Sequence, residues 1–248
     1  MDTPIFVINL ERSPDRLAHA AAELARQDLP FHRVPAVDGS LLSDAEIAGV
    51  HDATRTAATY HVPMQRGEIG CFLSHRGAWQ SFLEETSAPF AVILEDDFEL
   101  RGTLRPVIRA LASQSLPRWD MIKLWAKEKR LVREVSALTA PYRLVRELVI
   151  SKRTVGQIVS REGATKLLAR TLPIHRPIDV QLQYPWELGI EVLALRPSLV
   201  IDVGDQRFGG SSTKNPVAPG YSKLGREARR VVLQADLAAR SLARFVRP

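Results

Sequence analysis

The stretch that most constrains the fold is the opening one. TPIFVINL at residues 3–10, with IFVI at its centre, reads as a buried strand, and FHRVPAVDG at 31–39 is a second extended segment ending at Asp38 and Gly39. Between them Ser13, Pro14 and Asp15 supply an N-cap, a proline at the first helical position and an acid in the first turn, so a helix is predicted from there to about Gln27. Strand, helix, strand over so short a span implies a parallel pair with a crossover, and such sheets take their ligands at the carboxyl ends of the strands.

The same alternation continues downstream. Ser43 to Glu46 has the spacing of a capping box, and the polar stretch after it, to about Pro63, has no clear period. RGEIGCFLSHRGAWQSFLEE carries Ile69, Phe72, Leu73, Trp79 and Leu83 at helical spacing and feeds a strand, AVILEDDFEL. A helix near 104–114 follows, then three strands in WDMIKLW, RLVRELVIS and TVGQIVS, the helix REGATKLLART, and a loop with a short helix in PIDVQLQYPWE. IEVLALRPSLVID reads as two strands interrupted at Pro197. The predicted class is α/β.

Three consecutive acids, Glu95, Asp96 and Asp97, close the strand AVIL. Residues two apart share a face of an extended strand, so Glu95 and Asp97 are expected to converge on one ligand while Asp96 points away. Hard oxygen donors there suit Mg²⁺ or Mn²⁺ holding the phosphates of a nucleotide. A solvated acidic turn has the same spacing.

With 248 residues, 45% hydrophobic, the chain is long enough for one sizeable core. The opening MDTPIFVINLERS lacks a basic segment followed by a long apolar run, and no stretch approaches the roughly 20 apolar residues of a membrane span, which predicts a cytoplasmic protein. Cys71 is the only cysteine, which rules out an intrachain disulfide and a cysteine-built zinc cage. The net charge of +6 is uneven: from Lys223 to Pro248 seven basic residues face two acids, leaving +1 for all the rest. A nucleic-acid-binding body would spread its cations and interleave aromatics, so that class is excluded. In the tail Leu224, Ala228, Val231, Ala235, Ala238, Leu242 and Phe245 recur at steps of four and three with most arginines opposite, the pattern of a basic amphipathic helix. It would lie on an anionic membrane surface, pack on its own domain, or form a homodimer. The division predicted is a globular domain over 1–222 and this helix over 223–248.

FVINLERSPDR, VDG at 37–39, RGEIGCFLSH at 66–75, VILEDDFEL, IVSREGATKLL and PID at 177–179 together resemble glycosyltransferase family 25, the lipopolysaccharide and lipooligosaccharide glycosyltransferases related to collagen galactosyltransferases. The resemblance implies a GT-A type, Rossmann-like mixed sheet flanked by helices, Mn²⁺ or Mg²⁺, and a UDP-hexose donor, often UDP-galactose. It implies a glycan or lipid-linked saccharide acceptor, and with it a peripheral place on the inner face of a bacterial cytoplasmic membrane. Carried onto this chain, Glu95, Asp96 and Asp97 match the acidic signature, with Asp97 the direct metal ligand. Asn9, Arg12 and Asp15 or Arg16 follow the first strand, where the nucleotide is received, Asp38 ends the second, and Ser74 with His75 matches an SH pair. Gln157 departs from the pattern, which has an aromatic residue there.

Inverting transfer needs a base for the acceptor hydroxyl. Asp179 in RPIDVQL, matching the PID element, is the first candidate, with Glu187 and His75 as rivals; Asp179 has an equal reading as the cap of the turn that follows. Lys214, with Ser211 and Ser212 in GGSSTKN, is a candidate to meet the departing diphosphate from a closing loop, or belongs to a plain connector. A nucleotidyltransferase would share the strand-end acids but show a glycine-rich loop after the first strand, where this chain has NLERSPDR. A non-catalytic carbohydrate-binding relative is the other alternative.

Overall fold

The computed structural model describes residues 3–209 and 223–246. In chain order the elements are β1 (Ile5–Asn9), α1 (Pro14–Ala25), β2 (His32–Pro35), α2 (Asp44–Val50), α3 (Ala53–Thr59), α4 (Arg66–Glu85), β3 (Phe90–Glu95), β4 (Phe98–Leu100), α5 (Leu104–Ser113) and β5 (Met121–Lys123). There follow β6 (Val132–Thr139), β7 (Tyr142–Glu147), β8 (Gly156–Ser160), α6 (Arg161–Arg170), α7 (Ile178–Gln181), α8 (Pro185–Leu188), β9 (Val192–Arg196), β10 (Val200–Asp202), α9 (Gly204–Arg207) and α10 (Lys223–Phe245).

Eight strands form one sheet in the order β2-β1-β3-β8-β5-β9-β7-β6. The parallel pairing expected from the opening segment holds for β2, β1 and β3, after which β8 runs antiparallel between β3 and β5. The sheet is therefore mixed. Alternate residues of β3 feed two cores on its two faces. Val92 and Leu94 pack with Ala20 and Leu24 of α1 and Leu104 and Val107 of α5, while Ala91 and Ile93 meet Phe72, Trp79 and Phe82 of α4 and Leu167 of α6. Each of the valines, leucines, phenylalanines and the isoleucine, fully buried, contributes about 1.5–3 kcal/mol from desolvation.

Local chemistry explains the boundaries. Ser13 takes the N-cap position of α1 without a side-chain hydrogen bond, whereas Ser43 and Glu46 make both bonds of the capping box at α2. β2 stops at Pro35, short of the predicted end at Asp38. Ala36 still donates to the Asn9 carbonyl, but the Val37 amide leaves the sheet for the Ser74 hydroxyl, 2.8 Å away. The patternless stretch after α2 contains α3, capped by the Asp52 carboxylate on the Arg55 amide (2.8 Å). β6 was not predicted: it is a half-exposed edge strand whose register with β7 shifts twice, so no period of two survives in its sequence. β10 pairs antiparallel with β4 and sets Asp202 opposite Phe98.

α10 packs on the body. Leu237 is buried against Val180 and Tyr184, Ser241 is buried, and Arg244 lies 3.5 Å from Glu191. The inward row is thus Leu233, Leu237 and Ser241. Within the row predicted as the apolar face, Val231 and Leu242 look outward, 60% and 51% exposed. No helix among the described residues is long and apolar enough to cross a membrane.

Candidate active site

The parallel pairing of β1 with β3 sets Ile8 beside Glu95, so the chain leaving each strand reaches the same edge of the sheet. Asn9, buried at the end of β1, ties the two exits together. Its amide nitrogen donates to Asp96 Oδ2 (2.7 Å) and to the Ser13 carbonyl (3.0 Å), and its Oδ1 accepts from Arg33 Nε (3.1 Å). Arg16, in the first turns of α1, spans both aspartates: Nη1 lies 3.0 Å from Asp96 Oδ1 and Nη2 3.0 Å from Asp97 Oδ2. Its guanidinium stacks over the Phe208 ring at 5.1 Å.

Strand alternation therefore does not govern this triplet. β3 ends at Glu95, Asp96 and Asp97 sit in the turn beyond it, and Asp96 does not point away but shares Arg16 with Asp97. All three acids line one cavity of about 250 Å³ together with Arg12 and Asp38, which form an ion pair at its rim. Asp38 also accepts from the Ser40 amide (3.0 Å) and hydroxyl (2.7 Å).

The motif residues of α4 shape the wall of this cavity. A Cβ on Gly70 would come within 2.6 Å of the Gly39 backbone nitrogen, and one on Gly39 would run into the Arg66 carbonyl. Only glycines let the 37–39 turn lie against the helix. Ser74 completes the contact by accepting from Val37 and donating to Gly70 (2.7 Å). His75 is buried with both ring nitrogens engaged. The Gln157 amide donates to Nδ1 (3.1 Å), so the proton sits on Nε2 and is donated to Glu95 Oε1 (3.0 Å). The residue that departs from the family pattern thus sets the tautomer of His75, and His75 orients Glu95 rather than facing a ligand.

Glu95 and Asp97 experience opposite environments. Burial pushes the Glu95 carboxyl up, but the His75 hydrogen bond, with Thr154 and the nearby Lys123 ammonium, outweighs it and leaves it below the ordinary value. Asp97 is pushed up to about 8, first by burial and then by Glu95, against Arg16, with Asp202 and Asp96 adding to the rise. Its Oδ1 is buried without a hydrogen-bond partner. A desolvated oxygen aimed among like charges is what a hard divalent cation satisfies, so the donor set fits Mg²⁺ or Mn²⁺ at Asp97 and Glu95. Cys71, His75 and Glu95 also bring one ligand atom each within 4.8 Å of one another. That group does not suit such a cation: burial holds the Cys71 thiol well above its ordinary value, and the His75 nitrogens are already used.

A second cavity, of about 330 Å³, adjoins the first through Cys71, Glu95 and Asp97 and holds Asp179 on its far side. Asp179 opens the single turn of α7 and accepts weakly from the Arg153 amide (3.4 Å), leaving its other oxygen to the cavity. Several residues here were missed by sequence reasoning. Asp202 lines the cavity and pairs with Arg153, Thr154 donates to Glu95, and Gly204 lies so close that a Cβ there would stand 2.5 Å from Asp97 Oδ2. Lys123, buried at the end of β5, donates to the carbonyls of Ser151, Lys152 and Arg153 and thereby holds the turn carrying Arg153, whose φ is +65°. Burial lowers its ammonium to about 8. The one available signal was a lysine inside an apolar strand.

Glu187 is not brought to either cavity. Its carboxylate lies 2.7 Å from Arg176 Nη1; burial alone would raise it, but His175, Arg176 and Gln181 hold it at about 2. At that value it accepts no proton near neutral pH. Ser211, Ser212 and Lys214 lie outside the described residues, as does the side chain of Leu224.

The signature of the family described as glycosyltransferase family 25 (LPS biosynthesis protein) matches residues 2–182. The chain belongs to glycosyltransferase family 25. Among family 25 relatives, procollagen galactosyltransferase 1 of Danio rerio is 32% identical over 183 residues, 71% of this chain and 30% of that protein. Inactive glycosyltransferase 25 family member 3 of Mus musculus is 29% identical over 218 residues, 79% of this chain and 36% of that protein. The chain thus spans about a third of the length of the curated relatives it matches. Among solved structures, the glycosyltransferase GlyE in Streptococcus pneumoniae TIGR4 aligns over 98% of this chain and 64% of its own with a TM-score of 0.45 and 8% identity. The mixed sheet with helices on both faces is the α/β architecture that the family 25 resemblance implied.

Proposed function

We propose that this protein is a metal-dependent, inverting hexosyltransferase that moves a hexose, galactose first among candidates, from a UDP-sugar to a glycan acceptor of lipopolysaccharide or lipooligosaccharide type. The observation that carries the reading is the unpartnered Asp97 Oδ1 in a cluster of acids at the junction of two cavities. Family membership supports glycosyl transfer, and the name of the zebrafish relative supports galactose.

The cavity between Arg12, Asp38 and the acids is the donor side, and the cavity of Asp179 and Asp202 the acceptor side. Asp97 and Glu95 would hold Mn²⁺ or Mg²⁺, which when bound supplies Lewis-acid neutralisation of the departing diphosphate, in general worth several kcal/mol of barrier. The protein's own groups do the rest. Arg16 fixes Asp96 and Asp97, so the acids do not swing when the nucleotide arrives. His75 and Thr154 hold Glu95 from the other side. Asp179 takes the acceptor hydroxyl's proton onto its free oxygen as that hydroxyl attacks the anomeric carbon, opposite the breaking bond. The catalytic unit is assigned to residues 1–222, with 223–248 an appended helix.

The test is a donor screen with the full chain, Mn²⁺ and a panel of UDP- and GDP-sugars, reading nucleotide release. Release from UDP-galactose that EDTA abolishes is expected. No metal-dependent release from any UDP-sugar, alongside intact folding, would overturn the assignment in favour of a binding protein.

A further inference from the structure

The basic helix singled out in the sequence builds a wall of a third cavity. About 510 Å³ in volume, this cavity lies between α10, through Arg230, Leu233 and Leu237, and the body of the protein. Its cationic lining is Arg130, Lys152 and Arg230, with His61 beside them, and no Asp or Glu among the described residues lines it. Arg130 buries its Nε without a hydrogen-bond partner. Neither Arg130 nor Lys152 has a carboxylate in ion-pair range among the described residues, whereas Arg230 also pairs with Glu227 at 2.7 Å. Burial first, then Lys152 and Arg230 against an opposing Glu227, hold His61 below its ordinary value. Cations gathered in a concave, partly dry space, two of them without an ion-pair partner among the described residues, make a site for an anion.

The rest of the wall suits a sugar ring. Tyr60 and Tyr184 contribute aromatic atoms to the lining, one face of Tyr184 being taken by Arg176 at 3.8 Å, and Val180 and Leu237 contribute apolar surface for C–H groups. The cavity shares Tyr60, Lys152 and Val180 with the one that holds Asp179, so the two adjoin. We propose that this cavity receives the anionic part, phosphate or carboxylate, of the acceptor saccharide, whose neutral hydroxyl-bearing end reaches Asp179 next door. The inference rests on the reading of the Asp179 cavity as the acceptor side. It gives α10 a role in acceptor selection, with its inward arginine meeting the ligand and its inward leucines closing the space.

The test uses the full chain with UDP and Mn²⁺ saturating the donor cavity, so that anions cannot bind there. Glucose 6-phosphate, glucuronate, glucose and inorganic phosphate are titrated by calorimetry. At least one anionic sugar is expected to bind about tenfold or more tighter than glucose, as one charge-assisted contact allows, and the tighter of the two tells phosphate from carboxylate. Its affinity should fall with added NaCl and about tenfold in Arg130→Gln and in Lys152→Gln, and less in Arg230→Gln because of Glu227. Three results would overturn the proposal: glucose binding as tightly as both anionic sugars, inorganic phosphate matching glucose 6-phosphate where that is the tighter of the two sugars, or undiminished anionic-sugar binding in the Arg130→Gln, Lys152→Gln double variant. UDP affinity, measured separately, should be the same in every variant. Failure of the unmodified chain to bind UDP counts against the donor reading instead, and the sugar titrations repeated without nucleotide still decide this one.

Discussion

Arg16 holds Asp97 by one oxygen only: Nη2 lies 3.0 Å from Oδ2, while Oδ1 is buried with no partner. The arginine thus neutralises part of the cluster and fixes its geometry without filling it. The remaining oxygen is left without a partner in a residue that, like Glu95, lines both cavities.

Asp97→Asn should therefore fold, because an amide oxygen still accepts from Arg16, but it should lose about 10²-fold or more in metal-dependent turnover. Mn²⁺ titration followed by electron paramagnetic resonance should show weakened binding in the same variant. Turnover with unmodified Mn²⁺ dependence would remove Asp97 from the ligand set.

Asp179→Asn separates proton removal from donor binding. Turnover should fall by roughly 10²-fold or more while the affinity for UDP stays unchanged, since Asp179 lies in the second cavity and not the first. Loss of UDP binding together with turnover would make the residue structural or donor-facing.

Glu187 gives a stability prediction with a defined sign. Its carboxyl stands at about 2 in the folded protein, below the ordinary value, so its contribution is present in full above about pH 4.3 and is lost as pH falls toward 2. Glu187→Gln should lower the melting temperature at neutral pH and flatten the acid limb of the stability curve in that window. The cost should be about 1 kcal/mol, since the pair is partly open to solvent. Transfer activity should persist, which it would not if Glu187 were the base.

The two faces of α10 predict opposite outcomes. Leu237 is buried against Val180 and Tyr184, so Leu237→Ala should cost about 2 kcal/mol and lower the melting temperature, and truncation after 222 should do more. Val232 is 67% exposed, and Val232→Ser should leave the melting temperature unchanged. Equal effects from both, read by differential scanning calorimetry, would mean that the outward row is covered as well.

Much of the molecule was legible in the chain itself because it depends on local pattern. The bounds of α4, the capping box at α2, the break between β9 and β10 at Pro197, and the acids at the end of β3 follow from spacing and residue type. Family 25 membership was legible too, carried by motifs whose glycines and serine prove to be the contacts between the 37–39 turn and α4. The sequence by itself determined the helix bounds, the capping box and the strand break since each is settled within a turn or two of backbone, and the family because its motifs are strings of residues.

Tertiary structure decided what depends on partners distant in the chain. The antiparallel insertion of β8 made the sheet mixed, and Arg16, eighty residues before Asp96, turned a presumed strand face into a clamped turn. Asp202 and Gly204 reached Asp97 only because β10 pairs with β4, and Lys123 became a support for the 151–153 turn only by burial. The tail shows the limit most plainly. Its period gave a helix, but periodicity measures which residues share a face, not which face meets the protein: the row around Leu237 turns inward because Val180 and Tyr184 offer it a dry surface, and the more regular row at Val231 and Leu242 faces water.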